Sequence, residues 1–281
     1  GSEMCIRDRD SGVPEGWTLL AALSQIVHRP KIGTLVTSMT FRHPVILAKM
    51  VTTLDHISKG RAILGMGAGW HIPEHIGYGI TLPPPRERLK RLGEMANIIK
   101  LLWVNKRTTF HGQYYELNDA PFQPKPVQHP HPKIVIGGGG EKRTLEIVAR
   151  YADEWNWNLS SGSREDFCRK LDKLKEWCTR VGRDPASIST SLNVDFLITE
   201  DTKRIESALR VNAEHLMISI EEARANSIVG SPEEVIGKLK SYIDMGVQSF
   251  IFSLRAPFDK KGTYNLPDLG DRILRYHTTM D

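Results

Sequence analysis

The 281-residue sequence predicts an α/β protein in which parallel strands are joined by helical crossovers. Two observations indicate this fold class. Segments with helix periodicity and segments with strand periodicity alternate along the chain, and the links between them are short. Six strand segments follow this order, whereas a closed (β/α)8 barrel needs eight. The sequence therefore predicts either an open doubly wound sheet or a barrel whose beginning is missing.

The first half of the chain shows clear helix signals. Pro44 suits the first turn of a helix because its missing N–H needs no partner there. Apolar residues at spacings of three and four follow it, and Gly60 is expected to end this helix. The predicted elements are a helix over residues 17–27, a strand over 32–37, the helix that begins at Pro44, a strand over 61–66, a helix over 89–102 and a β-like excursion over 108–117.

The second half begins with a proline-rich connector over residues 121–132. Ser231 and Glu234 form a predicted capping box, with Pro232 at the first helical position, and Gly246 ends that helix. The predicted elements are a strand over residues 134–136, a helix over 145–152, a strand over 154–158, a helix over 167–181, a strand over 188–198 and a last strand over 247–252.

Composition limits the classes of function. The chain is 25% charged and 40% hydrophobic, enough for a sizeable core, and its net charge of +5 is spread along the sequence. A nucleic-acid reader would show a concentrated basic patch, and a membrane span needs an apolar run of about 18 residues. Three cysteines without a C-x-x-C motif do not form a disulfide framework. We therefore expect a cytoplasmic protein without nucleic-acid or membrane partners.

Residues 1–12 differ from the rest of the chain. They are charged and aperiodic, and we interpret them as extraneous, or alternatively as a disordered native arm. Residues 13–281 are predicted to form one domain.

Four consecutive glycines lie between a predicted strand and a predicted helix. Glycines let the backbone approach a ligand closely, and free N–H groups at a helix start favour a phosphate. A flexible turn would need only one glycine. The sequence therefore predicts a phosphate or anion site at Gly137, Gly138, Gly139 and Gly140.

Two further strand ends carry small residues. Gly65-Met66-Gly67-Ala68-Gly69-Trp70 is not the dinucleotide fingerprint, since its third glycine comes too early. A flat ring could still pack on such a strand end. Thr34 to Ser38 places small and hydroxyl residues where α/β proteins bind ligands. An ordinary tight turn and an ordinary buried strand are the alternatives.

Other polar and aromatic residues receive structural interpretations. His71 and His75 are four apart, but Pro73 between them and the lack of an H-E-x-x-H motif argue against a metal site. Asp55 and Arg61 are expected to form an ion pair. The tryptophans are expected to be core residues, with Trp155 and Trp157 as candidate exceptions near the pocket mouth.

Several long segments resemble the bacterial luciferase-like oxidoreductase family, most closely the branch that uses the deazaflavin cofactor F420. The resemblance runs from about Pro14 to the C-terminus. It implies a luciferase-like (β/α)8 barrel that holds F420, or alternatively FMN, at the carboxyl ends of its strands. The segments are GTLVTSMTFRHPVILAKMVTTLDHISKGRAILGMGAGWHIPEHIGYGI, PPPRERLKRLGEMANIIKLLW, FHGQYYELNDAPFQPKPVQHPHPKIVIGGGG and RTLEIVARYADEWN.

The resemblance also implies which residues contact the cofactor. Leu35, Val36 and Thr37 fall at a bulge behind the ring, where the family often has a cis non-proline bond. The strand end beside the ring corresponds to Gly67, Ala68, Gly69 and Trp70. The phosphate segment corresponds to Gly137, Gly138, Gly139 and Gly140.

The sequence departs from the family pattern at its beginning. The family starts with a strand, a helix and a second strand, which are here replaced by residues 1–12, so a barrel without these three elements is predicted. The second strand often ends in a catalytic His, which has no counterpart here. Some sugar-phosphate F420 enzymes have an acidic residue at the position of Trp70. The catalytic residues therefore stay unassigned, with His71 a candidate proton donor by position.

The resemblance implies an oxidoreductase that transfers a hydride between F420 and a small organic substrate. The alternatives are an FMNH2-dependent monooxygenase that uses O2, and an inactive truncated barrel that binds at most an anionic ligand. Oligomers are common in the family, and a homodimer would cover an open sheet edge.

Overall fold

A curved sheet of parallel strands, with helices on its outer side, is the framework of the protein. The computed structural model describes residues 14–253, so the predictions for residues 1–12 fall outside the described residues. The helices are α1 (Gly16–Leu23), α2 (Pro44–Ile57), α3 (Ile72–Gly77), α4 (Pro85–Val104), α5 (Thr144–Tyr151), α6 (Arg164–Val181), α7 (Thr202–Leu216), α8 (Ile220–Ala225) and α9 (Pro232–Ile243). The strands are β1 (Ile32–Gly33), β2 (Thr37–Ser38), β3 (Ala62–Gly67), β4 (Arg107–His111), β5 (Glu116–Pro121), β6 (Lys133–Gly137), β7 (Glu154–Asn158), β8 (Ser189–Ile198), β9 (Ile228–Gly230) and β10 (Ser249–Ser253).

The main sheet has the order β1-β3-β6-β7-β8-β10, and all its ladders are parallel. β1 and β2 both pair with β3, so they are two parts of one strand position, and the short β9 pairs with the end of β8. The six predicted strands are therefore confirmed. Within the described residues the sheet is open, because β1 and β10 lie at opposite ends of the order. The architecture of the described residues is that of a parallel α/β half-barrel with six strand positions.

The core lies between the sheet and the helices. Pro44 begins α2, where the His43 side chain accepts the N–H of Val45. Leu47 and Leu54 of the predicted apolar stripe are buried, whereas Ile57 at its end is exposed. A run of buried residues in α4 packs beside it, and a capping box of Ser231 and Glu234 begins α9 as predicted. The fully buried members of the α2, β3 and α4 layer include Leu47, Val51, Leu64, Met66, Leu92, Met95 and Ile99.

The predicted ion pair between Asp55 and Arg61 is wrong. The buried Asp55 carboxylate instead accepts the backbone N–H groups of Val127 (2.8 Å) and Gln128 (3.0 Å). Arg61 donates from Nε to the carbonyl oxygen of Ser58 (2.7 Å). A buried carboxylate needs several donors, and the proline-rich connector offers backbone N–H groups that no strand or helix uses. Asp55 therefore holds the connector against the sheet.

Some elements differ from the prediction. The β-like excursion is an antiparallel hairpin of β4 and β5, and α1 ends at Leu23 rather than at residue 27. Residues 200–230, which the sequence left without elements, contain α7, α8 and β9. No helix among residues 14–253 is long and apolar enough to cross a bilayer.

Candidate active site

Val36 lies where three of the predicted cofactor segments meet. It interrupts the first strand position between β1 and β2, and the Leu35–Val36 peptide bond is cis, as the resemblance implies. A Cβ built on Gly67 would lie 2.8 Å from Val36 Cγ2, and one built on Gly137 would lie 3.4 Å from Val36 Cγ1. The missing side chains at these two glycines therefore make room for Val36. Strand ends that are distant in sequence converge on one side chain.

These positions lie at one edge of the sheet. Ser38 ends β2, Gly67 ends β3 and Gly137 ends β6, and the three strands are parallel neighbours. The carboxyl ends of parallel strands form the ligand-binding edge of α/β folds. The structure therefore brings the predicted residues of the three segments to the edge where a ligand is expected.

The end of β3 offers a surface with few side chains. Gly69 has a φ of +77°, which favours glycine, and a Cβ on it would overlap the hydroxyl of Ser38. Ala68 is half-buried, and Trp70 is 66% exposed, so its indole lies at the open margin of this surface. A planar ring could lie against this strand end without meeting a large side chain.

Thr37 and Leu35 differ in what their side chains do. Thr37 is fully buried, and its hydroxyl accepts the indole N–H of Trp17 (3.0 Å) and bonds Thr34 Oγ1 (2.7 Å). Its side chain therefore joins α1 to the strand, while Leu35 is half-buried beside it. Contact of either residue with a cofactor stays a prediction.

The four-glycine segment is anchored to the neighbouring strand β7. The N–H of Gly138 donates to the carbonyl oxygen of Asn156 (3.1 Å), and the Gly138 carbonyl oxygen accepts the indole N–H of Trp155 (2.8 Å). Gly138 has a φ of +122°, a conformation that side chains rarely adopt. Gly138 and Gly140 are exposed, so the segment is held in place while its surface stays open.

Lys170 is a cation beside this segment that the sequence reasoning missed. A Cβ on Gly139 would lie 3.1 Å from the Cδ and Cε atoms of Lys170, so the lysine stem lies close over the loop. The side chain is 15% exposed, and Nζ lies 3.4 Å from Glu141 Oε1. The signal was present, because Lys170 is three residues after Phe167 and therefore on the sheet-facing side of α6.

The interpretation of Trp155 and Trp157 as candidate cofactor contacts is wrong. Both are buried and stack on Phe167 of α6, with ring centroids 5.7 and 5.6 Å apart. Successive residues of a strand alternate between the two faces. The intervening Asn156 therefore has the opposite face, where its Nδ2 donates to Ser191 Oγ (2.9 Å). The two tryptophans are core residues on the helix side.

A polar cluster follows the end of β3. His75 is buried, with Nε2 2.8 Å from Thr40 Oγ1 and Nδ1 2.7 Å from the carbonyl oxygen of His71. Nδ1 of His71 lies 3.8 Å from Oε2 of Glu74, which is 2% exposed. Burial raises the pKa of the Glu74 carboxyl, and the neighbouring His71 and His75 rings offset part of that rise. Both ring nitrogens of His75 therefore have hydrogen-bond partners, whereas Nδ1 of His71 lies near Glu74 without a hydrogen bond.

Replacing Glu74 with glutamine is expected to change how stability depends on pH. Because the pKa of Glu74 is raised in the folded state, the folded protein binds this proton more tightly than the unfolded chain does. The resulting stabilisation is fully present below the usual pKa of 4.5 and is lost as pH rises through the folded pKa. Urea unfolding between pH 4 and pH 8 should therefore show that Glu74→Gln gains stability relative to the wild type as pH rises.

Glu222 is a control of opposite sign. Hydrogen bonds from the backbone and side chain of Ser219 lower the pKa of Glu222, so its contribution is lost as pH falls below 4.5. Glu222→Gln should lose stability relative to the wild type at high pH. If the free energies of unfolding of Glu74→Gln and the wild type changed with pH in the same way, the expected effect of Glu74 would be contradicted.

A parallel α/β half-barrel with a glycine-lined site at the carboxyl edge of its sheet defines the class of this protein. The sequence profile of the luciferase-like monooxygenase family matches residues 4–226. The chain belongs to this family.

Two curated relatives illustrate the range of similarity. F420-dependent glucose-6-phosphate dehydrogenase of Kineococcus radiotolerans is 30% identical over 270 residues, covering 88% of this chain and 78% of that protein. An uncharacterized protein of Mycobacterium tuberculosis is 29% identical over 187 residues, covering 66% of this chain. The match spans 64% of the length of this mycobacterial relative.

Solved structures share the fold. Monooxygenase RslO1 from Streptomyces bottropensis has a TM-score of 0.76 at 21% identity, covering 91% of this chain and 80% of that chain. The coenzyme F420-dependent tetrahydromethanopterin reductase from Methanopyrus kandleri has a TM-score of 0.74 at 23% identity, covering 88% and 84%. These similarities confirm the predicted luciferase-like barrel architecture.

Proposed function

We propose that this protein is an oxidoreductase that uses F420 to transfer a hydride to or from a small organic substrate. The observation that supports it best is the convergence of Gly67 and Gly137 on Val36, next to a four-glycine segment that is approached by Lys170. The similarity to F420-dependent glucose-6-phosphate dehydrogenase over 88% of the chain supports the choice of cofactor.

The residues at the sheet edge fit the cofactor. F420 and FMN both have a planar tricyclic ring and a phosphate. Val36 and the bare end of β3 provide a flat surface for the ring, and a Cβ at Gly67 or Gly69 would collide with neighbouring atoms there. Gly138 and Gly140 offer an exposed backbone for the phosphate, and Lys170 offers a positive charge beside it.

When bound, F420 supplies the redox chemistry, as a carrier of a hydride. The protein residues hold the geometry. Val36 would support one side of the ring, and the bond from Trp155 to Gly138 fixes the four-glycine segment relative to β7. The exposed Trp70 lies at the margin, where it can shield the reacting region from water.

Thermal melts of the purified chain test the choice of cofactor. A ligand that binds only the folded state at about 100 times its Kd adds ~2.7 kcal/mol to the free energy of unfolding. For a chain of this size that corresponds to a rise in Tm of roughly 5–10 °C. We expect F420 to produce this rise and FMN to produce a smaller one.

The other outcomes contradict the proposal in different ways. A shift with FMN and none with F420 would favour an FMNH2-dependent monooxygenase that uses O2. A broad transition that neither cofactor moves would favour an inactive barrel. Substrate conversion with F420 under strict anaerobiosis would support hydride transfer and exclude an obligatory role of O2.

A further inference from the structure

Buried polar atoms without partners are concentrated after the end of β3. Five such side-chain atoms occur in the described part of the chain, and three of them are His71 Nδ1, Glu74 Oε1 and Arg88 Nε. Native structures rarely bury polar atoms unpaired, and a catalytic role or contact with a bound molecule is among the reasons for such atoms. The concentration of three within one short segment and the adjoining helix therefore requires an explanation.

Two of these side chains, His71 and Glu74, lie close together. Nδ1 of His71 lies 3.8 Å from Oε2 of Glu74, and the Glu74 side chain is 3% exposed. The His71 side chain is 18% exposed although its Nδ1 is buried. The exposed part of the ring is therefore not at Nδ1, and Nε2 is not among the buried atoms without a partner. Catalytic hydrogen bonds are often long in unliganded proteins and shorten in the reacting complex.

His71 is the histidine of this cluster whose ring can still form hydrogen bonds. Both ring nitrogens of His75 already have partners, and its ring stacks on Phe41 with centroids 5.0 Å apart. His71 follows Gly69 and Trp70 directly, and its ring lies 5.1 Å from the Trp70 ring. Arg88 holds this turn in place, since its Nη1 donates to the carbonyl oxygen of Gly69.

We propose that His71 and Glu74 form a proton-transfer dyad that serves a carbonyl or alcohol substrate at the open end of β3. The inference rests on the proposed function and adds the class of substrate and the proton donor. His71 is the catalytic residue, and Glu74 is a positioning residue that acts through Nδ1.

The proton balance explains why a carbonyl suits the dyad. When a hydride from reduced F420 adds to a carbonyl carbon, a C–H bond forms and the electron pair of the C=O π bond moves to oxygen. That oxygen takes the proton from His71 Nε2, while Nδ1 takes a proton from the Glu74 carboxyl, which later regains one from water. In the reverse direction, bare Nε2 accepts the hydroxyl proton of an alcohol as the hydride leaves its carbon for oxidised F420.

The tautomer of His71 tests the dyad in the cofactor-free protein. The partner of one ring nitrogen decides where a neutral imidazole carries its proton. In alkaline buffer, ¹⁵N spectra of histidine-labelled protein should show the His71 proton on Nδ1, held by the Glu74 carboxylate. In Glu74→Met, which has similar length but no acceptor, the proton should move to Nε2. The same tautomer in both proteins would overturn the dyad.

His111 is an internal control for these spectra. Its Nδ1 lies 3.5 Å from Glu116 Oε1, but both side chains are about 65% exposed and lie on the β4–β5 hairpin. Its resonances should be the same in the wild type and Glu74→Met. His71→Gln assigns the His71 signals, because only those should disappear.

Kinetics of the F420-loaded protein provide a second readout. His71→Gln should lower kcat by about 100-fold or more, with a smaller change in KM, because a general acid acts in the transition state. An unchanged kcat would contradict the proposal. A Tm shift with F420 but no tautomer change would disprove the dyad and leave the proposed function standing. A tautomer change without F420 binding would retain the dyad and disprove the F420 function.

Discussion

Replacing Phe167 with alanine is expected to lower the free energy of unfolding by about 3–5 kcal/mol, since this ring is fully buried. The ring stacks on both Trp155 and Trp157, which in turn contact the four-glycine segment. Trp155 donates to Gly138, and the indole nitrogen of Trp157 would lie 2.8 Å from a Cβ on Gly139. Without Phe167 the two indoles can shift, and the four-glycine segment loses its support. We therefore also expect the Kd for F420 to rise about tenfold, equivalent to ~1.4 kcal/mol.

Phe122→Ala is the matched control for this prediction. Phe122 is 1% exposed and packs in the same core cluster, but its ring lies beside Lys49 and Lys125, with Nζ atoms 4.4 and 5.5 Å from its centroid. Urea unfolding should show a similar loss of stability, while F420 titration should show an unchanged Kd. Equal effects of the two variants on Kd would contradict the role of Phe167 in supporting the loop.

The parts of the fold that were predicted depend on local signals. The helix after Pro44, the capping box at Ser231 and the six strands follow from spacing and end-capping residues, which act within a few positions. Residues 200–230 contain two helices and the short β9. These elements were missed although local signals were present: Asp201 caps α7, and Ser219 and Glu222 form a capping box at the start of α8.

The orientation of β7 could not be predicted from its own residues. Its sequence alternates Trp and Asn, so period 2 separates the two faces but does not tell which one is covered by a helix. Strands of a parallel barrel are buried on both faces. The usual expectation that apolar residues point to the inside of the sheet fails where the inner face is polar. Contact with Phe167 of α6, a tertiary feature, places the tryptophans on the helix side.

The candidate site was predicted from its glycines, but its charged residues were not. A glycine at the end of a strand indicates that another group lies close to the backbone there, as Val36 does at Gly67 and Gly137. Lys170 and Glu74 reach the site from helices whose docking depends on the whole fold. A polar residue on a helix gives no local sign of whether water or a loop lies next to it.

Replacing Lys170 with methionine is expected to weaken F420 binding roughly ten- to a hundredfold, because a hydrogen bond to a charged group contributes about 1.5–3 kcal/mol. Methionine keeps the length of the apolar stem that lies over Gly139 and removes only the charge. Folding stability should change little, since Glu141 keeps its ion pair with Arg169 at 3.0 Å. Lys175→Met is the control: it lies on the same helix, 56% exposed and paired with Asp172. F420 titrations at low and high salt should show a raised Kd and a weaker salt dependence for Lys170→Met alone. If both variants bind like the wild type, the phosphate does not lie at Lys170.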